Sequence, residues 1–552
     1  MRQEPLTRRT FLAGRAAGAA ALGIALAGYG SADATETVDS SAAAEAANSS
    51  AAVEAGATEL EHLETSGHLT CSLNLDRGSL SPWGVDAETA ACINLPVLEG
   101  LYEIDRKTNK PYPALAAGDP EEVTTNVYEI ELREFPLFSD GSEVTANDVV
   151  ASFERTRKSK CGAFGELLSL IAEMEATSDE RLTVVTKAPL GERLLSLLAL
   201  VKVVPAKTTA KHLAEGAMGT GPWRLDSINN MRAIMVPNSF YTGTRPATAD
   251  TLTCYFSTDA AARVNALTYG AVQAIEDAPT NNAVLKKKRS GIEVESVPGF
   301  NPALLVFDTR VQPFDDVRVR QAVLWAVDAE ALAKDPFDGA AHPATCILDT
   351  GNPDYREAAI VYGGDADKAQ RLLEDAGVDG LSFAIETGEE PWMEPTALRI
   401  AEDLGRAGMS VEVRTMQSRA LFEDREDASD DEQIPSVTLT TAYPGVFGDD
   451  AAILIRWLFS NNVWMKERTG WIESDAYDQL DELLTTAETI GDDDDDARAE
   501  AWGAVFDLIA EQVPLYPILH LDKTTAWRPA EIEGFIPIGT PGLDPLDASA
   551  HE

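Results

Sequence analysis

Hydrophobic residues between positions 304 and 327 follow first the pattern of a strand and then the pattern of a helix. Leu304 to Phe307 form a short apolar run, which indicates a buried strand. After Pro313 the apolar residues recur at intervals of three and four, namely Val319, Ala322, Val323, Ala326 and Val327. This spacing predicts a helix with one buried face, capped by Asp315 or Asp316, and with charged residues such as Arg320 in solvent.

A strand, a turn and a capped helix are predicted between Tyr128 and Arg155. Apolar residues alternate with acidic ones at the start of this segment, and such alternation indicates a half-exposed strand. A turn rich in Ser, Asp and Gly follows, and Thr145 then caps a helix with Asp148 as the reciprocal partner. The buried face of that helix is expected at Val149, Val150 and Phe153.

Helical and strand patterns alternate again between positions 366 and 413. Gly377 stands where a helix needs a left-handed residue at its end, and the next helix is expected to bury Leu398, Ala401 and Leu404. A short alternating strand then follows around Val411. Helices that alternate with short strands predict the α/β fold class.

Length and charge narrow the possible functions. A chain of 552 residues is long enough for two or three packed domains. The formal net charge of -46 disfavours nucleic-acid partners and anionic membrane surfaces, because phosphates would be repelled. Five cysteines, an odd number, would leave at least one thiol free or paired between chains in an exported protein.

The N-terminal 34 residues read as a targeting segment. Arg8-Arg9 precede Thr10-Phe11-Leu12, and an apolar run from Ala16 to Ala27 follows, which is the pattern of a twin-arginine (Tat) export signal. Residues 35–66 are rich in Ala, Ser, Thr and Glu and carry few large apolar side chains. This composition predicts a disordered segment, either a tether or a tail with no task of its own.

Several of these strings resemble the family 5 extracellular solute-binding proteins, the peptide and nickel receptors of ABC importers. The resemblance rests on PFDDVRVRQAVLWAVD at 313–328, on FSDGSEVTANDVVASF at 138–153, and on GTGPW at 219–223. It implies a two-lobed, clam-like α/β protein of the type II periplasmic-binding-protein class, with an extra subdomain inserted in the first lobe.

The resemblance also implies a division of the chain into consecutive segments. The expected segments are the signal (1–34), the tether (35–66), the first part of lobe I (67–98), its inserted subdomain (99–217), the second part of lobe I (218–300), lobe II (301–515) and the last part of lobe I (516–552). The lipid-bearing cysteine that many family members carry after the signal is replaced by Tyr29. Ala32-Asp33-Ala34 offers a peptidase site instead, so export without acylation is expected.

The family resemblance places the ligand site around the loop at 440–454. Peptide-binding members usually present there an Asp that pairs with the peptide's free amino group, and this chain has Ala442 at that position. The loop therefore favours a neutral or cationic solute or a modified peptide. The candidate ligand-binding residues are Trp83, Asn301, Trp392, Tyr443, Phe447 and Asp449, although a core or rim position is the alternative for a lone tryptophan.

The function that this resemblance implies is solute capture by cleft closure and delivery to permease subunits in the membrane. A peptide or peptide-like solute is expected, and a nickel chelate or another small ligand is the alternative. An extracellular hydrolase is the alternative of a different class, but the chain contains no G-x-S-x-G, H-E-x-x-H or Cys-x-x-Cys string. We expect no catalytic residue, no metal, no cofactor, no nucleic-acid partner, a monomeric state, and a location in the periplasm or on the cell surface.

Overall fold

The computed structural model describes residues 67–83, 87–159, 164–280, 282–285, 291–417, 435–490 and 494–551. The export signal and the tether, predicted over residues 1–66, lie outside this part of the chain, as does Cys161.

Strands and short helices alternate throughout the described chain. In chain order the strands are β1 (His68–Leu73), β2 (Tyr102–Ile104), β3 (Pro111–Pro113), β4 (Glu121–Thr124), β5 (Val127–Glu131), β6 (Ile171–Ala176), β7 (Arg181–Thr186), β8 (Trp223–Ile228), β9 (Arg232–Pro237), β10 (Thr251–Phe256), β11 (Ala274–Ile275), β12 (Glu293–Phe307), β13 (Ala341–Pro343), β14 (Ser382–Thr387), β15 (Ser410–Thr415), β16 (Ser436–Thr441), β17 (Leu515–Trp527), β18 (Ile532–Glu533) and β19 (Ser549–Ala550). The α-helices are α1 (Ala87–Asn94), α2 (Ala146–Arg157), α3 (Phe164–Leu167), α4 (Arg193–Ala199), α5 (Ala210–Glu215), α6 (Ala260–Thr268), α7 (Val317–Ala326), α8 (Ala329–Lys334), α9 (Ala366–Ala376), α10 (Met393–Arg406), α11 (Ala451–Phe459), α12 (Asp475–Thr489) and α13 (Asp495–Gln512).

One mixed sheet of 11 strands joins the two lobes. Its order is β15-β14-β16-β12-β17-β11-β1-β10-β9-β8, and β13 pairs with β17 off this path. We refer to the half with β1 and β8 to β11 as lobe I and to the half with β14 to β16 as lobe II. The long strands β12 and β17 lie between these halves and pair antiparallel, so they are the strands that run from one lobe into the other.

The pairing of these two strands is irregular in its middle. Val297 lies opposite Lys523 and Asn301 lies opposite Leu521, so three residues of β12 face a single residue of β17. A second irregularity follows between Ala303 and Leu304. Extra residues of this kind bend a strand, and here they bend it where it passes between the lobes.

A separate four-stranded antiparallel sheet belongs to the subdomain inserted in lobe I. Its strand order is β4-β5-β7-β6, and α2 to α4 pack with it around one apolar core that includes Phe153. The predicted cap of α2 is confirmed: the carboxylate of Asp148 accepts the Thr145 backbone N–H at 3.0 Å and its hydroxyl at 2.8 Å. The same carboxylate accepts the backbone N–H of Ala206 at 2.8 Å, which ties the helix to the chain returning towards lobe I.

The helix predicted after Pro313 is confirmed as α7, and Arg318 is exposed as expected, but Arg320 is not. Asp316 caps it by accepting the backbone N–H of Arg318 at 2.8 Å. Arg320 is buried and donates to the backbone carbonyls of Phe314, Gln512 and Val513. The expectation of a solvent-exposed Arg320 is wrong because the end of α13 covers this side of the helix.

Two further predictions in lobe II meet different outcomes. Gly377 ends α9 in the left-handed conformation, with φ at 70°, as its position predicts. Leu398, expected in the buried stripe of α10, is 51% exposed, and that part of the prediction is wrong. The helix instead buries a face displaced from the predicted one, which comprises Met393, Thr396, Ala397, Ile400, Asp403 and Leu404.

The cysteines that the structure describes are all buried thiols, namely Cys71, Cys92, Cys254 and Cys346. Cys71 and Cys254 are partners on the neighbouring strands β1 and β10, with their Sγ atoms 3.4 Å apart. Burial raises the pKa of Cys346 to about 12, so this thiol stays protonated and unreactive. Among the described helices, none has the length and apolar character needed to cross a membrane.

Candidate ligand-binding site between the lobes

The loop from Tyr443 to Asp450, called the 443–450 loop below, follows β16 and leads into α11. Pro444 to Phe447 form one turn of 3-10 helix, which the fixed φ of proline favours at its start. Asp450 caps α11 by accepting the backbone N–H groups of Ala452 at 2.9 Å and Ile453 at 3.2 Å. The loop is thus held at both ends by regular structure of lobe II.

Successive residues of this loop contact the inserted subdomain. The ring of Phe447 packs edge-on against Phe164 with centroids 5.3 Å apart. Gly448 has a φ of 99° and lies so close to Ile104 that an added Cβ would be 3.4 Å from its Cδ1. Asp450 receives the Nε–H of Arg193 at 3.0 Å. The 443–450 loop therefore connects lobe II to the opposite side of the interlobe cleft.

A cavity lies where the loop meets lobe I and its subdomain, and its empty volume, counted out to solvent, is about 610 Å³. Lobe I and the subdomain contribute most of the wall, and Val446 and Phe447 contribute the lobe II side. Most of the lining is apolar, and the polar and charged lining residues are Asn94, Glu103, Arg106 and Lys202. A largely apolar lining with a few polar groups is typical of small-molecule binding sites.

The two cationic side chains in the cavity wall, Lys202 and Arg106, differ in how they are paired. The ammonium group of Lys202 lies 2.6 Å and 2.5 Å from the two carboxylate oxygens of Glu103. Glu103 also accepts the backbone N–H of Gly100 at 2.7 Å. Arg106 is only 8% exposed, and its one side-chain hydrogen bond within the described chain goes to the hydroxyl of Thr540 at 2.8 Å. Lys202 and Glu103 neutralise each other, whereas Arg106 keeps unused donors.

The comparisons with known proteins agree with this two-lobed arrangement. Residues 110–464 match the family described as bacterial extracellular solute-binding proteins, family 5 (middle). This chain belongs to that family. It is 25% identical over 492 residues to the dipeptide-binding protein of Escherichia coli K12, which covers 82% of this chain and 88% of that protein. The family consists of solute-binding proteins rather than enzymes, and its members are extracytoplasmic.

Solved structures show the same fold. The periplasmic binding protein DppA from Helicobacter pylori, in complex with the peptide STSA, superposes with a TM-score of 0.75 at 19% identity, covering 89% of this chain and 99% of that one. NikA from Staphylococcus aureus, in complex with Ni(L-His)2, gives a TM-score of 0.73 at 18% identity, covering 88% and 100%. The α/β clamshell and the solute-binding class predicted from the sequence are therefore confirmed.

A second polar cluster of this family 5 protein lies at the other end of the 443–450 loop. The indole N–H of Trp392 donates to the carboxylate of Glu390 at 2.9 Å, and the Tyr443 side chain also hydrogen-bonds to Glu390. The Lys523 ammonium lies 5.9 Å from the centre of the Tyr443 ring. Trp392 and Tyr443, two candidates from the sequence, are therefore brought together by Glu390.

Lys523 links this cluster to lobe I. Its ammonium group lies 2.7 Å from Asp277 and 3.1 Å from Glu276, the two residues that follow β11. Asn74 donates to both carboxylates at 2.9 Å. Burial tends to raise the pKa of Asp277, but the charge of Lys523 and these donors outweigh it, so the pKa is lowered and the carboxylate stays ionised.

The other sequence candidates occupy different places. Phe447 lines the cavity, and Trp83 follows a residue that lines it, Pro82. The indole of Trp83 packs on the lobe I core, and its buried Nε1 has no hydrogen-bond partner in the described chain. Asn301 is buried in β12 beside the irregular pairing, and its Nδ2 is likewise unpaired there. Both residues thus hold a buried donor that has no partner in the described chain.

Asp449 lies at the contact between the loop and the subdomain. Its carboxylate is 3.9 Å from the ammonium of Lys110, and its backbone carbonyl accepts Asn352 Nδ2 at 2.8 Å. Burial raises the pKa of Asp449 above its usual value, and Lys110 counters part of that effect. Within the described residues, no group of three or more His, Cys, Asp or Glu side chains could hold a metal ion.

Sequence reasoning missed the charged residues of both clusters. Arg106 and Lys202 stand in segments without a recognisable motif, and Glu390 lies in a turn between β14 and α10. The sequence offered one signal for a buried charge, which is that Glu103 stands between the apolar residues Tyr102 and Ile104 of β2. The rest depends on contacts between distant parts of the chain.

The pH dependence of stability should change when Glu390 is replaced by glutamine. Burial raises the pKa of Glu390 above its ordinary value of 4.5, so folding favours the protonated form. That contribution is complete below the unfolded pKa and is lost as pH rises through the higher folded pKa. Glu390→Gln cannot ionise, so its stability relative to the parent should increase as pH rises from the ordinary pKa of the carboxyl through its higher folded pKa.

Denaturant unfolding of both proteins across this pH range measures the difference. Glu389→Gln, at the exposed neighbouring position, is the matched control and should show no such trend. A difference between Glu390→Gln and the parent that stays constant with pH would contradict the buried environment described for this carboxyl.

Proposed function

We propose that this protein is the substrate-binding component of an ABC importer and that it captures a peptide or peptide-like solute between its lobes. The observation that carries the proposal is the contact of the 443–450 loop with the inserted subdomain across a mostly apolar cavity. Support also comes from the dipeptide-binding relative and from the fold shared with the peptide complex of DppA. A permease in the membrane would receive the solute, and no covalent chemistry is involved.

The proposed mechanism is closure of the cleft by bending at the strands that pass between the lobes. The lobe boundaries expected at residues 300/301 and 515/516 fall within β12 and at the start of β17. The irregular pairing around Asn301 places the bend beside a buried amide with a spare donor. Solute would stabilise the closed form because it contacts both lobes only there.

Binding of peptides to the purified protein tests this function. Unblocked dipeptides that bind should raise the unfolding free energy by about 2.7 kcal/mol at a hundred times their dissociation constant. Phe447→Ala and Tyr443→Ala should each weaken binding at least tenfold, because each removes an aromatic contact at the cleft. Tyr443→Phe is the matched control for the ring. Undiminished binding in both alanine variants would place recognition elsewhere.

A nickel chelate is the second candidate solute. The fold shared with NikA in complex with Ni(L-His)2 favours it. Since the described residues offer no set of ligands for a bare metal ion, such a metal would have to arrive with its own ligands. Thermal stabilisation by nickel with histidine, but not by dipeptides, would select this candidate and reject the first.

We further propose that a monomer is exported by the Tat pathway and is not acylated. The support is the Arg8-Arg9 pair and Tyr29 in the place of the lipid-bearing cysteine. Replacing both arginines with lysine should leave the precursor in the cytoplasm. An N-terminal lipid found on the mature protein by mass spectrometry would contradict the absence of acylation.

A further inference from the structure

Arg106 differs from the other buried arginines of the described chain in what it contacts. These arginines are Arg106, Arg193, Arg263, Arg320 and Arg456. Arg193 and Arg456 pair with carboxylates, at 3.0 Å to Asp450 and 2.7 Å to Glu488. Arg263 donates to three backbone carbonyls and Arg320 to four. Arg106 has only the neutral hydroxyl of Thr540 and forms no ion pair with any described residue.

Burying a guanidinium without an ion pair costs folding free energy. It has five N–H donors, and taking its charge out of water is compensated only by pairing and hydrogen bonds. Burial accordingly lowers the pKa of Arg106, although Cys92, Asp544 and Glu103 act in the opposite direction. A buried charge that the protein itself leaves unpaired, in the wall of a cavity, indicates a missing partner of opposite charge.

Neither of the two nearby carboxylates, Glu103 and Asp544, forms a hydrogen bond or an ion pair with Arg106. Glu103 is held by Lys202 at 2.5 Å, and Gly100 donates to the same carboxylate. Asp544 accepts the backbone N–H of Leu546 at 2.9 Å, while its other oxygen lies 3.9 Å from Arg245 and has no hydrogen-bond partner in the described chain. Of the two cationic side chains in the cavity wall, Lys202 is therefore paired, and Arg106 forms no ion pair within the described chain.

We propose that Arg106 anchors a carboxylate of the solute, so that the ligand of this cavity is a small apolar molecule bearing a carboxylate group. A guanidinium matches a carboxylate with two parallel hydrogen bonds. The apolar wall formed by Ile104, Phe164, Val446 and Phe447 would hold the body of the same molecule. The proposal deepens the function proposed above, and it differs from the neutral or cationic solute that the 443–450 loop alone favours.

Calorimetry with two pairs of probes tests the anchor. The first pair is the dipeptide alanyl-phenylalanine and its C-terminal amide, and the second is 3-phenylpropionate and 3-phenylpropanamide. The parent protein should bind the acid of a pair about 10- to 100-fold more tightly than the amide, as expected for a charge-assisted hydrogen-bonded pair. Arg106→Met, which has similar length and no charge, should bind acid and amide equally.

Three further variants separate anchoring from structural support. Thr540→Val removes the only hydrogen-bond partner of Arg106 within the described residues and should keep the preference for the acid, and Arg106→Lys should keep part of it. Arg181→Met, which removes an exposed charge of the subdomain, should bind as the parent does. If Arg106→Met does not fold, Arg106→Lys and Thr540→Val still decide between the two roles, because a structural role predicts equal losses in both.

The outcomes distinguish the anchor from the peptide function. A preference for phenylpropionate that depends on Arg106, without binding of either dipeptide form, supports the anchor and rejects peptides as the solute. A preference for the acid that persists in Arg106→Met overturns the anchor while leaving the peptide function intact. Equal binding of acid and amide by the parent, or no binding of any probe, overturns the anchor as well.

Discussion

Replacing Arg193 with methionine should lower the unfolding free energy by about 3 to 5 kcal/mol. Arg193 begins α4 in the inserted subdomain and donates to Asp450 of lobe II at 3.0 Å and to the backbone carbonyl of Glu488. Its side chain is 5% exposed and that of Asp450 is 11% exposed. Methionine keeps most of the volume, but it leaves Asp450 without its cation in a poorly solvated place.

The subdomain contains a matched control, which is an ion pair of the same length with exposed side chains. Arg181 pairs with Glu131 across β7 and β5, also at 3.0 Å, with side chains 53% and 52% exposed. Arg181→Met should change stability by at most about 1 kcal/mol, since an exposed pair is largely screened by solvent. Denaturant midpoints at unchanged slope measure both variants. Similar small losses would mean that the contact between lobe II and the subdomain contributes little.

Replacing Phe153 with alanine should cost about 3 to 5 kcal/mol of unfolding free energy. The ring is fully buried in the subdomain core, and the guanidinium of Arg157 lies over it at 5.3 Å from its centre. The substitution removes the transfer free energy of the ring and leaves a cavity that close packing cannot fill.

Phe135→Ala is the control, because this phenylalanine is 76% exposed in the same subdomain. It should shift stability by no more than about 0.5 kcal/mol. Circular dichroism of Phe153→Ala would show whether the fold is kept while the midpoint falls. An unchanged midpoint would contradict the position of α2 in this core.

Local features of the fold could be predicted from the sequence because their signals are local. The cap at Asp316, the pairing of Thr145 with Asp148 and the left-handed Gly377 each depend on residues within one helical turn. The burial of Arg320 could not be predicted from such local signals. Its partners Gln512 and Val513 lie about 190 positions away along the chain, so periodicity in α7 could not indicate that the charge is buried.

Only the parts of the candidate site that lie in segments resembling the family could be predicted from the sequence. That resemblance located the loop with Tyr443 and Phe447, and the structure places this loop across the cleft. Arg106 could be recognised only from the fold, because Thr540, the one hydrogen-bond partner it has in the part of the chain that the structure describes, lies 434 positions away. A charged residue two positions after a short strand is usually solvated, and only its surroundings distinguish it.

The shared sheet has a mechanical consequence. Gly299 and Phe300 lie in the part of β12 where several residues face one residue of β17, so they stand outside the regular ladder. Bending at this point need not break cross-strand hydrogen bonds on either side, and the pairing within each lobe can stay intact while the cleft opens. The amide hydrogens of these two residues should therefore exchange with solvent faster than those of the flanking ladder, because a short flexible segment lies here between two rigid halves of the sheet.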